Sequence, residues 1–200
     1  MGRVKEGQSV EQTDDRRVRK TRRLLREQLA RLMEHKSVRE ITVTELCRAC
    51  DINRGTFYRH YADVYDLLHS VEEEIRRGFQ QVMDPVFSGG KLGEQVIGPG
   101  LQAAFCYLAE NADMCRVLLC RGGDMEFVQQ VENLMREFVR EQYRKVNRRE
   151  GEMYDYIFTY IAAGCIGVLR QWLEQDMPQP PQQIAALLEQ IMREGVLALL

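Results

Sequence analysis

The stretch from Thr42 to Tyr61, TVTELCRACDINRGTFYRHY, limits most sharply what this chain can fold into. Thr42 and Glu45 have the spacing of a capping box, a hydroxyl and a carboxylate three residues apart that satisfy each other's backbone donors at a helix start. Asn53 is a good N-cap for a second helix. Asp51-Ile52 between them fits a tight turn. Two short helices joined this way follow the helix-turn-helix plan, whose second helix enters the DNA major groove in proteins that bind DNA.

Stepping ~100° per residue along the second helix places Phe57 and Tyr61 one turn apart on an inward face. Gly55, Thr56 and Arg59 fall opposite. Arg54 and Tyr58 lie on one flank and His60 on the other. Arg reads guanine edges bidentately, and Thr bonds a base edge or touches a thymine methyl. A glycine permits close backbone approach. The flanking Arg54, Tyr58 and His60 suit phosphates, which fix register without reading sequence. Thr42, Thr44 and Asn53, at the two helix starts, complete the candidate set.

Residue identities sharpen this geometry. The run Ile41–Cys47, then Ile-Asn-Arg-Gly-Thr-Phe-Tyr-Arg-His-Tyr from Ile52 to Tyr61, then Asp63 through Leu67-Leu68, resembles the N-terminal domain of the TetR family of transcriptional regulators. The likeness covers about residues 18–68. It implies an all-α chain, with a three-helix helix-turn-helix domain and a helical ligand-binding and dimerisation domain behind it. It also implies double-stranded DNA as partner. A Lys near the start of the family's fourth helix usually contacts phosphate, but Val64 stands at the matching position here.

The remaining chain fits that plan. Residues 1–61 hold 15 Lys/Arg against 9 Asp/Glu, while residues 62–200 hold 13 against 21. A basic front on an acidic body is the footprint of a chain whose front alone meets polyanions. Residues 1–14 read as a disordered tail, 15–62 as the DNA-binding domain and 63–200 as the body. In the first helix, from about Asp15 to Lys36, Arg16, Arg17, Arg19, Lys20, Arg22 and Arg23 crowd the first turns. Positive charge there opposes the helix dipole and calls for an external anion. Asp63 caps a long fourth helix through about Met83, and the glycines and prolines of 84–100 read as a loop. Leu101–Asn111, Ala112–Cys120 and a helix from Asp124 to about Val146 follow.

The last two helices, about 150–175 and 181–199, carry more apolar face than one small domain covers. They predict a homodimer through a four-helix bundle, as the resemblance also implies. Small residues Ala163, Gly164 and Gly167 permit close helix approach. Candidate pocket residues for a small-molecule effector are Phe79, Phe105, Cys106, Phe158, Tyr160 and Cys165; each is also an ordinary core residue. No cofactor or metal is expected. Cys47 and Cys50 form a lone Cys-x-x-Cys without the four ligands of a zinc site, and small core residues are the reading, with a redox-sensing thiol as the alternative. No nucleophile–base or paired-carboxylate constellation stands out, so an enzyme is not expected. No apolar run reaches membrane-spanning length and the polar N-terminus has no signal region, which points to the cytoplasm. The function read here is a sequence-specific regulator, a ligand-responsive repressor on a palindromic operator. A transcriptional activator of the same fold and an all-helical protein-interaction adaptor are the alternatives.

Overall fold

A computed structural model of the chain describes residues 5–88, 94–120, 125–146 and 152–195. Among these residues all regular structure is helical: α1 (Lys5–Met33), a short 3-10 turn (Val38–Glu40), α2 (Val43–Ala49), α3 (Arg54–Tyr58), α4 (Val64–Ser88), α5 (Glu94–Glu110), α6 (Ala112–Leu119), α7 (Met125–Val146), α8 (Glu152–Glu174) and α9 (Pro181–Glu194). Two compact units divide the chain, one through Val71 and one from Glu72. The boundary falls inside α4, so a single helix contributes to both.

In the first unit, α2 packs against α1 and α3. Leu25 and Leu29, one turn apart on α1, are fully buried with Leu46, Phe57 and Leu67. Each such side chain contributes roughly 1.5–3 kcal/mol of transfer free energy. Ser37 and Glu40 form a complete capping box before α2. The Thr42–Glu45 box expected there forms only by half. Thr42 Oγ1 accepts from the Glu45 N–H at 3.2 Å, but the Glu45 carboxylate turns to the Lys36 ammonium instead. A full opposite charge attracts a carboxylate more strongly than a neutral N–H does. The α2–α3 turn is a Schellman arrangement. Ile52 N–H donates to the Cys47 carbonyl at 3.0 Å and Asp51 N–H to the Arg48 carbonyl at 3.3 Å. Asp51 takes the left-handed position (φ 51°) usually filled by glycine.

The second unit pairs α5 chiefly with α9, and α8 with α6 and α7. Trp172 anchors it: its ring lies 5.5 Å from that of Phe105, and its indole N–H donates to the Gln179 carbonyl at 2.9 Å. Gly78 lets α5 approach α4. The Tyr107 hydroxyl donates to the Ile75 carbonyl at 3.1 Å, and a Cβ on Gly78 would stand 2.1 Å from that oxygen.

Four boundaries differ from the sequence reading. The α1 backbone is helical from Lys5, across most of the stretch read as a disordered tail; the segment has no proline, and its lone Gly7 costs only about 1 kcal/mol. α4 runs past Pro85 to Ser88, and α5 begins at Glu94 with Pro99 inside it, where a loop was expected. Pro85 sits in the last turn and Pro99 in the second, where few ladder bonds are lost. α9 stops at Glu194 because Gly195 turns left-handed (φ 81°). Val196 and Leu199, expected on α9, lie outside the described residues, as do Asp124 and residues 1–4.

Candidate nucleic-acid interface

α3 has five residues, too few to hold a helix unaided. Its ends and one face fix it. Asn53 Oδ1 accepts from the Thr56 N–H at 2.7 Å and from the Thr56 hydroxyl at 3.0 Å. Phe57 is fully buried and Tyr61 nearly so, with ring centroids 5.9 Å apart. This seating turns the other side of α3 to solvent. Arg54, Gly55, Tyr58 and Arg59 are exposed, and Thr56 and His60 are half-buried beside them. Thr42, Thr44 and Asn53 are exposed as well.

Arg54 and Tyr58 act as one flank group. The guanidinium donates to the Tyr58 hydroxyl at 3.3 Å and lies 5.8 Å from the ring centroid. The hydroxyl of Thr56 is spent on Asn53, which leaves its methyl and oxygen lone pairs for a base. A Cβ on Gly55 would come within 3.3 Å of Asn53 Oδ1 and thicken the face. The basic residues of α1 from Arg16 to Arg23 are exposed. The charge of one of them is felt at this surface: burial first, then the charges of Arg22 and Arg59, hold the His60 imidazole below its ordinary value. That link between α1 and the second helix of the pair was not read from the sequence, because 38 residues of separation leave no periodic signal. Val64, which replaces the expected phosphate-binding Lys, is buried. The α4 N-cap beside it is intact, with Asp63 Oδ1 accepting from the Asp66 N–H at 2.8 Å.

A pH dependence follows from His60. Its folded pKa lies below the unfolded value of about 6.5, so the unfolded chain binds more protons as pH falls past that value. Its contribution to stability is fully present above pH ~6.5 and is lost as pH falls through the lowered folded pKa. His60→Gln is expected to flatten the fall of melting temperature between about pH 6.5 and 5; an unchanged slope would remove His60 as its source.

The second unit holds an apolar cavity of about 60 Å³, room for several water-sized groups. Phe79, Phe105 and Cys165 line it. The other candidates lie elsewhere. Cys106 sits between α5 and α9, its sulfur accepting from Gln182 Nε2 at 3.6 Å. Phe158 is buried but is not part of the cavity lining. Tyr160 is 69% exposed: two residues on from Phe158, it lies about 200° around the helix, on the opposite face. Of the lining that sequence reasoning missed, α7 supplies more than any other helix, including Phe127 and Leu134. Among the described residues no group of three or more His, Cys, Asp or Glu could hold a metal ion. Cys47 and Cys50 are buried. The Cys50 thiol donates to the Leu24 carbonyl at 3.7 Å, and burial pushes it up to about 11. That disfavours the thiolate a redox sensor needs. Among the described residues no helix is long and apolar enough to cross a membrane.

A capped helix pair with a polar, cationic outer face, joined to an all-helical unit with an apolar cavity, defines the class of one-component helix-turn-helix regulators. The chain is similar to the TetR family of transcriptional regulators. Residues 97–194 match the family model described as a transcriptional regulator C-terminal region. The uncharacterised HTH-type transcriptional regulator YxbF of Bacillus subtilis is 26% identical over 174 residues. That match takes in 86% of this chain and 44% of YxbF, so the chain spans less than half of that relative's length. The fatty acid degradation regulator FadR from Bacillus halodurans has a similar fold, with a TM-score of 0.68 at 14% identity over 88% of this chain and 96% of its own. The TetR family regulator PfmR from Thermus thermophilus gives a TM-score of 0.64 at 16% identity, over 87% and 98%. All three of these proteins are named as regulators.

Proposed function

We propose that the chain is a cytoplasmic, ligand-responsive repressor that binds a palindromic operator as a homodimer. The observation that carries the reading is the outer face of α3, where Gly55, Thr56 and Arg59 are presented for bases between the Arg54–Tyr58 pair and His60. Two such helices in a symmetric dimer would occupy successive major grooves about 34–36 Å apart. The dimer reading rests on α8 and α9. Met153, Tyr156, Ile157 and Tyr160 are exposed along one face of α8, and Leu187 on α9. On α8 a Cβ at Gly164 or Gly167 would meet nothing within 4 Å, which leaves space for a partner helix. An effector in the α4–α8 cavity that favoured another spacing of the DNA-binding heads would weaken operator binding. By linkage, DNA would weaken effector binding by the same factor.

Operator titrations at several salt concentrations test the DNA reading. Log affinity is expected to fall linearly with log salt, by about 0.9 for each phosphate contact. Arg59→Ala is expected to cost about 1–3 kcal/mol at one base position and to relax preference there. If the variant separates operator from scrambled DNA as well as the parent does, Arg59 does not read a base.

A further inference from the structure

Leu25 and Leu29 are fully buried and mark the side of α1 that packs within the first unit. At ~100° per residue, Arg22 falls within about 60° of both, one turn earlier on the same side. Yet Arg22 is exposed. The covered side of α1 therefore ends between Leu25 and Arg22, and a guanidinium takes the place where the apolar row would continue. Two observations tie that end of the row to the helix pair. The Cys50 thiol, at the end of α2, donates to the Leu24 carbonyl at 3.7 Å. The Arg22 charge is felt at the His60 imidazole, after burial and ahead of the Arg59 charge. His60 is half-buried on the flank of the outer face of α3.

Arg22 has no acid to hold. Its neighbour Arg23 pairs with Glu27, Nε to Oε1 at 3.1 Å, but Arg22 forms no ion pair among the described residues. Two guanidinium charges acting on one imidazole make a local excess of positive potential, which an external anion would relieve. The start of α4 offers an anion less. There Asp63 Oδ1 accepts from the Asp66 N–H at 2.8 Å, and Asp66 Oδ2 from the Ala62 N–H at 2.8 Å. Two backbone donors that suit a phosphate at a helix start are thus already taken by carboxylates.

We propose that the Arg22 guanidinium, together with the His60 imidazole, holds a phosphate of the DNA backbone at the edge of the groove that α3 enters. The proposal rests on the DNA-binding reading above and adds α1 to the contact surface. Phosphate contacts fix register and carry no sequence information. Arg22 therefore acts on any duplex, and Arg59 on particular ones.

That difference sets the experiment. The full chain is titrated with a mixed-sequence duplex of about 30 base pairs, three helical turns, so that no operator is needed. Affinity is measured between about 50 and 200 mM salt, and the slope of log affinity against log salt is the readout. Arg22→Gln is expected to lower that slope by about 0.9 for each protomer bound and to weaken binding several-fold at the low-salt end. Arg22→Lys keeps the charge and should keep the slope. The control is Arg16→Gln with Lys20→Gln, two exposed charges about 140–180° from the packed side, which should leave the slope unchanged. A slope that survives Arg22→Gln, or one that falls as far in the control, would overturn the Arg22 contact and leave α1 a diffuse source of positive field. A parent chain that shows no salt-dependent binding to the duplex would overturn the DNA-binding reading itself.

Discussion

Phe57→Ala is expected to destabilise the first unit by about 3–5 kcal/mol, the range for removing a large aromatic from a closed core. The ring is fully buried. It meets the Tyr58 ring edge-on at 5.6 Å and the Tyr61 ring at 5.9 Å. No other α3 side chain is buried, so Phe57 is the single apolar anchor of a five-residue helix. Small domains hold only about 5–15 kcal/mol in total, so the loss takes a large share. Phe57→Leu keeps much of the volume and should cost clearly less. Urea denaturation of both variants measures the difference. A loss below about 1 kcal/mol for Phe57→Ala would mean that α3 is held by its caps and not by this ring.

The paired substitution Tyr156→Glu with Tyr160→Glu is expected to separate the proposed dimer and to lower operator affinity by about 10²–10⁴-fold. The two rings are 72% and 69% exposed, one turn apart on α8. Neither contributes to the core, because the buried face of α8 is the opposite one: Phe158, Ala162, Cys165, Ile166, Leu169, Trp172 and Leu173. The variant should therefore fold as the parent does. In a dimer the two carboxylates would face apolar surface without a partner, which charged groups avoid strongly. A monomer grips one half-site and forfeits the effective concentration that makes the second contact nearly free. Sedimentation measures the first effect and operator titration the second. A variant that sediments as the parent does would put the dimer surface elsewhere.

Much of the first unit was legible in the sequence because its determinants are local. The cap of Asn53, the turn at Asp51 and the burial of Phe57 and Tyr61 depend on spacing along one short stretch, and the 100° step orders the side chains around α3. Ser37–Glu40 carries the same spacing of hydroxyl and carboxylate as Thr42–Glu45, and spacing alone does not separate the two. The choice between them turned on Lys36, whose reach to Glu45 is tertiary. Prolines 85 and 99 misled in the other direction. A proline reads as a breaker wherever it stands, while its cost depends on its distance from a helix end, which the sequence leaves open.

The second unit shows the limit of such reading. The apolar periodicities of α8 and α9 announced helices with two covered faces, but not which face met the chain's own core. Tyr160 was assigned to a pocket and lies in solvent; Phe79, Phe105 and Cys165 do meet at one cavity, with α7 supplying much of the wall. The sequence by itself determined the helical class, the order of the helices and the side of α3 that faces outward, because each follows from contacts within about two turns of chain. The tertiary structure decided that the charge of Arg22 acts on His60, that Val64 is buried, and that Arg76 contributes to an apolar cavity wall while its guanidinium holds Glu73. Those juxtapositions arise from helix packing between residues far apart in the chain or facing different neighbours, and no period in the sequence records them.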